Sequence, residues 1–340
     1  MKRTVPLLIA YLLIHFSSKA QTAVKPDHDT TYYRSFKGTI IGRTYLSRSY
    51  MHFQLDPPGD LTKMSYRANT TLNLGVGITY KSLSFSFSKG LSFLQSNSTK
   101  GKTHSTDLQL HLYKRKWTID ALAQFYKGYY LYPRGLGAAN DRAYLIRPDV
   151  SVKVGGASVY RVLNDRRFCY GAGLSQNAWQ QKSAGSFLLG AEAFYIALRA
   201  DSSFVPRKVD SEYSSKNIRK IHLFEIGPGI GYAYMLVIQK HYFLLGSFNA
   251  NINLHYSHET GNGIGSDKIG FSPNYLLRLG GGYNTNRWGL NFQFLTTGVN
   301  MPGKESDYHY SISSGNYRLV YARRFAINRR MRHIIGPDEN

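Results

Sequence analysis

The chain has almost no cysteine: Cys169 stands alone in 340 residues. That excludes an internal disulfide and a cysteine metal site, and leaves Cys169 as a small buried or lipid-facing residue. Acidic residues are scarce as well, 20 against 43 Lys and Arg, for a formal charge of +23. Beyond Ala20 there is no long apolar run, which excludes a spanning helix there, since one needs ~20 apolar residues. The mean hydropathy of -0.34 is that of a soluble protein. A transmembrane barrel has a similar value, because its lumen-facing and lipid-facing residues average out.

What the sequence does have is alternation. Leu72, Leu74, Val76, Ile78 and Tyr80, then Leu83, Phe85 and Phe87, interleave with Thr71, Asn73, Gly75, Gly77 and Thr79, then Ser82, Ser84 and Ser86. Successive strand side chains point to opposite faces, so this is one apolar face backed by one small polar face. A soluble sandwich would hide the apolar face and cover the other with charge. Here the second face is Gly, Ser, Thr and Asn, which suits a wet interior, and the first suits lipid. The pattern recurs along most of the chain and predicts an all-β fold, a transmembrane antiparallel β-barrel.

The first twenty residues read as a cleaved secretory signal. Lys2 and Arg3 are basic, Val5 to Phe16 are apolar, and Ser18 and Ala20 are small at the cleavage positions, leaving Gln21 as the new N-terminus. No cysteine follows, so a lipid-anchored N-terminus is not expected. Residues 21–36 are then a polar periplasmic lead-in, 37–325 the barrel and 326–340 a basic periplasmic tail. Loss of Lys2, Arg3 and Lys19 with the signal leaves a charge of +20, because that stretch holds no acid. The remaining basic residues are scattered at turns: Lys81, Lys114-Arg115-Lys116, Arg166-Arg167, Lys240 and Arg287. None forms an aromatic-interleaved stripe, so nucleic acid is not an expected partner. A basic rim against anionic lipid headgroups accounts for them.

Strands are predicted at 37–54, 66–80, 82–92, 104–113, 116–131, 144–162, 167–180, 184–199, 219–238, 241–257, 271–284, 287–299 and 308–325. Several exceed the ~9–11 residues that cross a bilayer. Short turns at 80–82, 113–115, 164–166, 239–240 and 284–286 are assigned to the periplasm. Longer loops at 56–64, 96–104, 132–143, 201–216, 258–266 and 302–307 are assigned to the outside. Thirteen strands cannot leave both ends in the periplasm. The doubtful stretch is 168–200, where Gln176-Asn177-Ala178-Trp179-Gln180-Gln181-Lys182 breaks the alternation. Either 167–180 and its neighbour are one strand with an inward excursion, or a strand has been missed. The reading is twelve strands, with fourteen as the alternative.

At Gly101-Lys102-Thr103-His104-Ser105-Thr106-Asp107-Leu108-Gln109-Leu110 and Tyr126-Lys127-Gly128-Tyr129-Tyr130 the chain resembles a Bacteroidetes family known as domain of unknown function 4421. Residues 74–81, 181–187 and 227–234 are similar to the same family, and the resemblance covers roughly 35 to 325. It implies an outer-membrane barrel of a Gram-negative cell, and it carries no catalytic residues with it. One departure is the C-terminus. Many barrels end on an aromatic residue read by the assembly machinery, whereas here Asn328-Arg329-Arg330-Met331-Arg332 follows Phe325.

The one enzymatic motif is His255-Tyr256-Ser257, echoed at His309-Tyr310-Ser311. His-x-Ser on a strand puts imidazole and hydroxyl on one face, where the first could activate the second, and the tripeptide looks like that of outer-membrane lipid hydrolases. Alternation works against it. Phe248, Ala250, Ile252, Leu254 and Tyr256 form the apolar face, so His255 and Ser257 continue the row Asn249, Asn251 and Asn253 into the lumen. A lipid hydrolase needs its pair at the membrane.

The same parity places Asp107, His111 and Gln109 inside, with Arg278, Arg318 and Arg324, and Glu192 as an inward acid. Such charges are expected to pair and fill the lumen; the functional alternative is a site for an anionic solute. The glycines of Gly227-Pro228-Gly229 and Gly280-Gly281-Gly282 lack a basic phosphate-binding pattern opening a helix, so they are read as strand bends. Tyr129, Tyr130, Tyr132, Tyr242, Trp288 and Phe325 are read as aromatic girdles. The expectation is a non-catalytic outer-membrane barrel (structural, binding, or passing a small polar or anionic solute) with no cofactor or metal. Its expected partners are outer-membrane lipids, the barrel-assembly machinery and that solute. The alternative is a lipid hydrolase using His255 and Ser257.

Overall fold

A computed structural model describes residues 27–327 except 37, 58, 81–82, 92–97, 210–216, 262–263 and 304–308. The signal segment, the start of the lead-in, Lys81 and residues 328–340 of the basic tail lie outside the described residues. The elements are β1 (Tyr33–Ser35), β2 (Thr39–Asp56), β3 (Met64–Arg67), β4 (Asn73–Tyr80), β5 (Leu83–Gly90), β6 (His104–Tyr113), β7 (Trp117–Tyr132) and β8 (Leu145–Val162). They continue with α1 (Tyr170–Leu174), β9 (Ala178–Gln180), β10 (Ala184–Arg199), β11 (Ile218–Ile238), β12 (Tyr242–Gly261), β13 (Ile264–Asn284), β14 (Trp288–Pro302) and β15 (His309–Ala326). All pairings of the large sheet are antiparallel. The sheet closes where β15 pairs with β2, from His309 opposite Asp56 to Ala326 opposite Thr39.

The two ends of the barrel differ. At the end carrying the short turns, the ring runs β2, β4, β5, β6, β7, β8 and then β10 to β15. At the loop end β3 stands in for β4, β5 and β6, pairing with β2 through Met64–Arg67 and with β7 through Ser65–Arg67. Hence β3 and β4, which alternation alone joins into one strand at 66–80, are two pieces with different neighbours. The polar run Asn69-Thr70-Thr71 at the break carries the chain from one to the other.

Two further expectations are corrected. Residues 167–180 contribute no wall strand: they fold inward as α1 and β9, and β9 pairs with β1 of the lead-in, Tyr33 opposite Gln180. Gly171 and Gly173 allow that inward packing: a Cβ on Gly173 would sit 2.7 Å from Leu245 of the wall. The stretch 258–266 is no long loop, because β12 and β13 stay paired to Gly261 opposite Ile264.

The long strands change character along their length. In the middle of β11, Phe224, Ile226, Ile230 and Tyr232 point outward and are about half exposed, and Glu225, Gly227, Gly229 and Gly231 point inward. Toward the loop end of the same strand the apolar residues Ile221 and Leu223 are inward and buried, and Lys220 is outward. β8 repeats the switch with Val150, Val152 and Val154 inside and Ser151 and Lys153 outside. β2 does so with Met51, Phe53 and Leu55 inside and His52 and Gln54 outside. The outward face is apolar around the middle of the barrel and polar around its loop end.

Candidate functional site

The lumen is filled in three layers. At the loop end the inward apolar residues make a core, with Met51, Phe53, Tyr66, Val152, Ile196, Phe204 and Tyr310 among its members. Phe204 comes from the segment after β10 and packs edge-on against Phe53 at 5.2 Å between ring centres. The Tyr66 hydroxyl donates to the Phe204 carbonyl, and Arg147 donates to the Ser203 carbonyl at 2.9 Å. The expected wet interior therefore ends beneath a dry stopper.

The middle layer is polar and buried. Glu192 accepts hydrogen bonds from Asn251 and Asn253, each at 2.9 Å, and from Asn274 at 3.0 Å. Glu225 accepts from Asn274 at 2.5 Å and from Ser272 at 3.3 Å. Gly229 belongs to this layer for steric reasons: a Cβ there would lie 1.7 Å from the Asn251 Oδ1. Beside it, Asp120 holds a second network. Its carboxylate accepts from Arg278 at 2.5 Å and Tyr113 at 2.8 Å, and its other contact is the His111 ring at 2.6 Å. Arg278 also donates to the Tyr170 hydroxyl of the plug at 2.9 Å.

The third layer is the plug at the turn end. Asn291 and Gln293 of β14 donate to the Gly173 and Leu174 carbonyls, at 3.0 and 2.6 Å. Arg324 donates to the Gln176 carbonyl and to Asn284. The lead-in is held to the same region, with Arg115 reaching both Asp165 and the Asp27 carbonyl. Arg115, expected in a lipid-facing rim, is thus tied into the plug's attachment.

The wall itself is incomplete. Among the described residues β5 and β6 pair only at Leu83 with Leu112 and Ser84 with His111, next to the turn end. Above those pairs the strands part. The gap is roofed by Asn69, whose backbone N–H donates to the Thr103 hydroxyl at 2.8 Å and whose side chain donates to the Gly101 carbonyl at 2.8 Å. Behind the gap lies a chamber of about 310 Å³ lined by Tyr45, Ser47, Asp107, Gln109, His111 and Arg318, with Phe87 and Leu108 at its outer rim. It meets a groove of about 900 Å³ on the outer surface, where Lys127, Lys153 and Arg199 stand.

The sequence-chosen residues all lie where parity puts them, but they do not pair as expected. Only His111 and Arg278 meet an acid, and it is Asp120. Glu192 is satisfied by asparagines. Asp107 is held by Gln124 and Tyr126, each at 2.6 Å. Arg318 makes no ion pair among the described residues and lies 4.7 Å over the Tyr45 ring. His255 and Ser257 are buried and inward, and neither nitrogen of His255 has a hydrogen-bond partner. Among the described residues no group of three or more His, Cys, Asp or Glu could hold a metal ion.

Parity alone could have added Asp120, Glu225 and Arg43 to the list, since each occupies an inward phase of its strand. Of the expected girdle, Tyr242 and Trp288 lie at the turn end, each packed against the ring of Tyr283, which was not among the expected residues. Tyr129 is instead turned inside by the bulge between Lys127 and Tyr129.

Against known proteins, residues 27–325 match the model of a family described as Domain of unknown function (DUF4421). The chain belongs to this family. No curated protein matches it. In backbone it is similar to the toluene transporter TbuX of Ralstonia pickettii, with 11% identity and a TM-score of 0.31 over 85% of this chain and 90% of that one. It is also similar to OmpT of Vibrio cholerae (11%, 0.27, 84% and 97%) and to neisserial surface protein A (9%, 0.23, 81% and 96%). Likeness at this level says nothing about role.

Proposed function

We propose that this family member is a non-catalytic outer-membrane β-barrel of a Bacteroidetes cell that binds a small polar or anionic solute and does not form an axial pore. The observation that carries the reading is the reversal of apolar residues from the outer to the inner face within single strands. A β-strand keeps one side chain preference per face as long as the media on its two sides stay the same. An apolar outer belt around the middle and a polar exterior with an apolar core at the loop end fit a barrel that leaves a membrane partway along its strands. With loop-end strands exposed to the outside, both termini lie in the periplasm.

The filled lumen favours binding over passage. A barrel of this size holds no continuous channel once side chains and an inserted segment occupy it. Planar-bilayer recording of the folded protein is expected to show no single-channel steps. Stable ohmic conductance would overturn the non-conducting reading. Ser257→Ala is expected to leave any lipid hydrolysis by the preparation unchanged, because an inward, unpartnered His255 is poorly placed to activate it against a membrane ester. Loss of hydrolysis in that variant would favour the hydrolase instead.

A further inference from the structure

The chamber behind the β5–β6 gap holds the Arg318 guanidinium, with Asp107 also on its wall, and Arg43 lines a small cavity that adjoins it; among the described residues neither arginine forms an ion pair. Arg43 is 8% exposed, its Nε has no hydrogen-bond partner, and one terminal nitrogen donates to the Ser86 hydroxyl at 3.3 Å. The Nε of Arg318 is likewise buried and unpartnered. Both line a small cavity that shares Ser84, Gln109, His111 and Arg318 with the chamber. The nearby acids are engaged elsewhere: Asp107 by Gln124 and Tyr126, and Asp120 by His111, Tyr113 and Arg278. A buried cation without a counter-charge is costly, so the pair is built to receive an anion.

The rim points to what carries that anion. Phe87 is 72% exposed and Leu108 60% exposed, and both face outward beside the opening, within the apolar belt. Unpaired strand edges at such a depth are tolerated only where they line a wet cavity, as these do. The lumen is closed axially by the apolar stopper and the plug, which leaves the wall as the way in.

We infer that the gap is a lateral slot for a single-chain amphiphile with a phosphate or carboxylate head. The head pairs with Arg318 and Arg43, where guanidinium geometry suits bidentate contact with either oxyanion. The tail leaves between Phe87 and Leu108 into the hydrocarbon. This rests on the outer-membrane, non-conducting reading above and adds the ligand class and its route.

The test is binding of cis-parinarate, a fluorescent long-chain carboxylate, to the mature protein in phosphatidylcholine nanodiscs. Displacement by lysophosphatidate and by inorganic phosphate is measured in parallel, and folding is checked by heat-modifiable electrophoretic mobility. Saturable binding that lysophosphatidate displaces and inorganic phosphate does not is expected. Arg318→Gln should weaken it at least ~10-fold and Arg318→Lys less, since the charge is kept and the fork lost. Arg43→Gln should act like Arg318→Gln; should that deeply buried change prevent folding, the half-buried Arg318 decides alone. Ser88→Trp, on the exposed side of the gap, should reduce binding by narrowing the slot.

Wild-type affinity in folded Arg318→Gln would overturn the proposal, as would unchanged binding in Ser88→Trp. Displacement by inorganic phosphate equal to that by lysophosphatidate would replace the amphiphile by a free anion, and so overturn it too. Failure here beside silent bilayer recordings leaves the non-conducting barrel standing. Conductance beside intact binding does the reverse.

Discussion

At the scale of single residues, the interior charges are governed by contacts across the lumen more than by contacts along a strand. Arg278 lies on β13 and Asp120 on β7, far apart in sequence and around the ring, yet they bond at 2.5 Å. Alternation could place Asp107, His111, Glu192, Arg278 and Arg318 inside because side chain direction has period two. It could not say which strand lies opposite, because that depends on closure and stagger. Hence the expected acid–base pairing missed Asp120 and assigned Glu192 a base where it has three asparagines. Arg278→Leu removes the cation from a buried carboxylate and is expected to destabilise the barrel by about 3 kcal/mol. Urea unfolding from micelles measures this, and Asp120→Asn with Arg278→Leu should recover part of the loss.

At the scale of elements, the wall was largely legible and the plug was not. Wall strands advertise themselves by apolar residues at every second position, and β6 and β10 fall at the predicted bounds of 104–113 and 184–199. The inward segment 168–180 is surrounded by protein on all sides, so no face of it needs an apolar row, and its glycines and amides read as a poor strand. The loop-end portions of β12 and β13 escape notice for a related reason: the outer face there carries His258, Thr260 and Asp267, so it lacks the lipid-facing signal, while Glu259 and Ser266 are buried inside. Replacing residues 169–177 by a flexible Gly-Ser linker removes α1 but leaves Phe53, Tyr66 and Phe204 in place. Bilayer recordings of that variant are expected to stay silent. Steady current from it would mean that the loop-end core does not seal.

At the scale of the molecule, the inversion of apolar residues acts as a depth gauge. Ile226 lies in the outer belt and Lys153 beyond it. Ile226→Lys is expected to cost up to about 3 kcal/mol in a bilayer, the penalty for a cation facing lipid near the midplane. Lys153→Ile should change stability by less than about 0.5 kcal/mol, as exposed substitutions usually do. Reversible unfolding in liposomes compares the two, and equal costs would mean the belt is misplaced.

The exchange of β3 for β4, β5 and β6 between the two ends makes the wall resemble a crystal with an edge dislocation. Extra rows enter at the turn end and stop partway, and the misfit has to surface at the line where they stop. With strands ~4.8 Å apart, a net difference of two rows shortens the circumference by roughly 10 Å over the height of the wall. No local zippering of Ser86 or Phe87 onto β6 can remove that mismatch while β3 still joins β2 to β7. The side opening is therefore a fixed defect of the lattice, and healing it would require the loop-end ring to come apart.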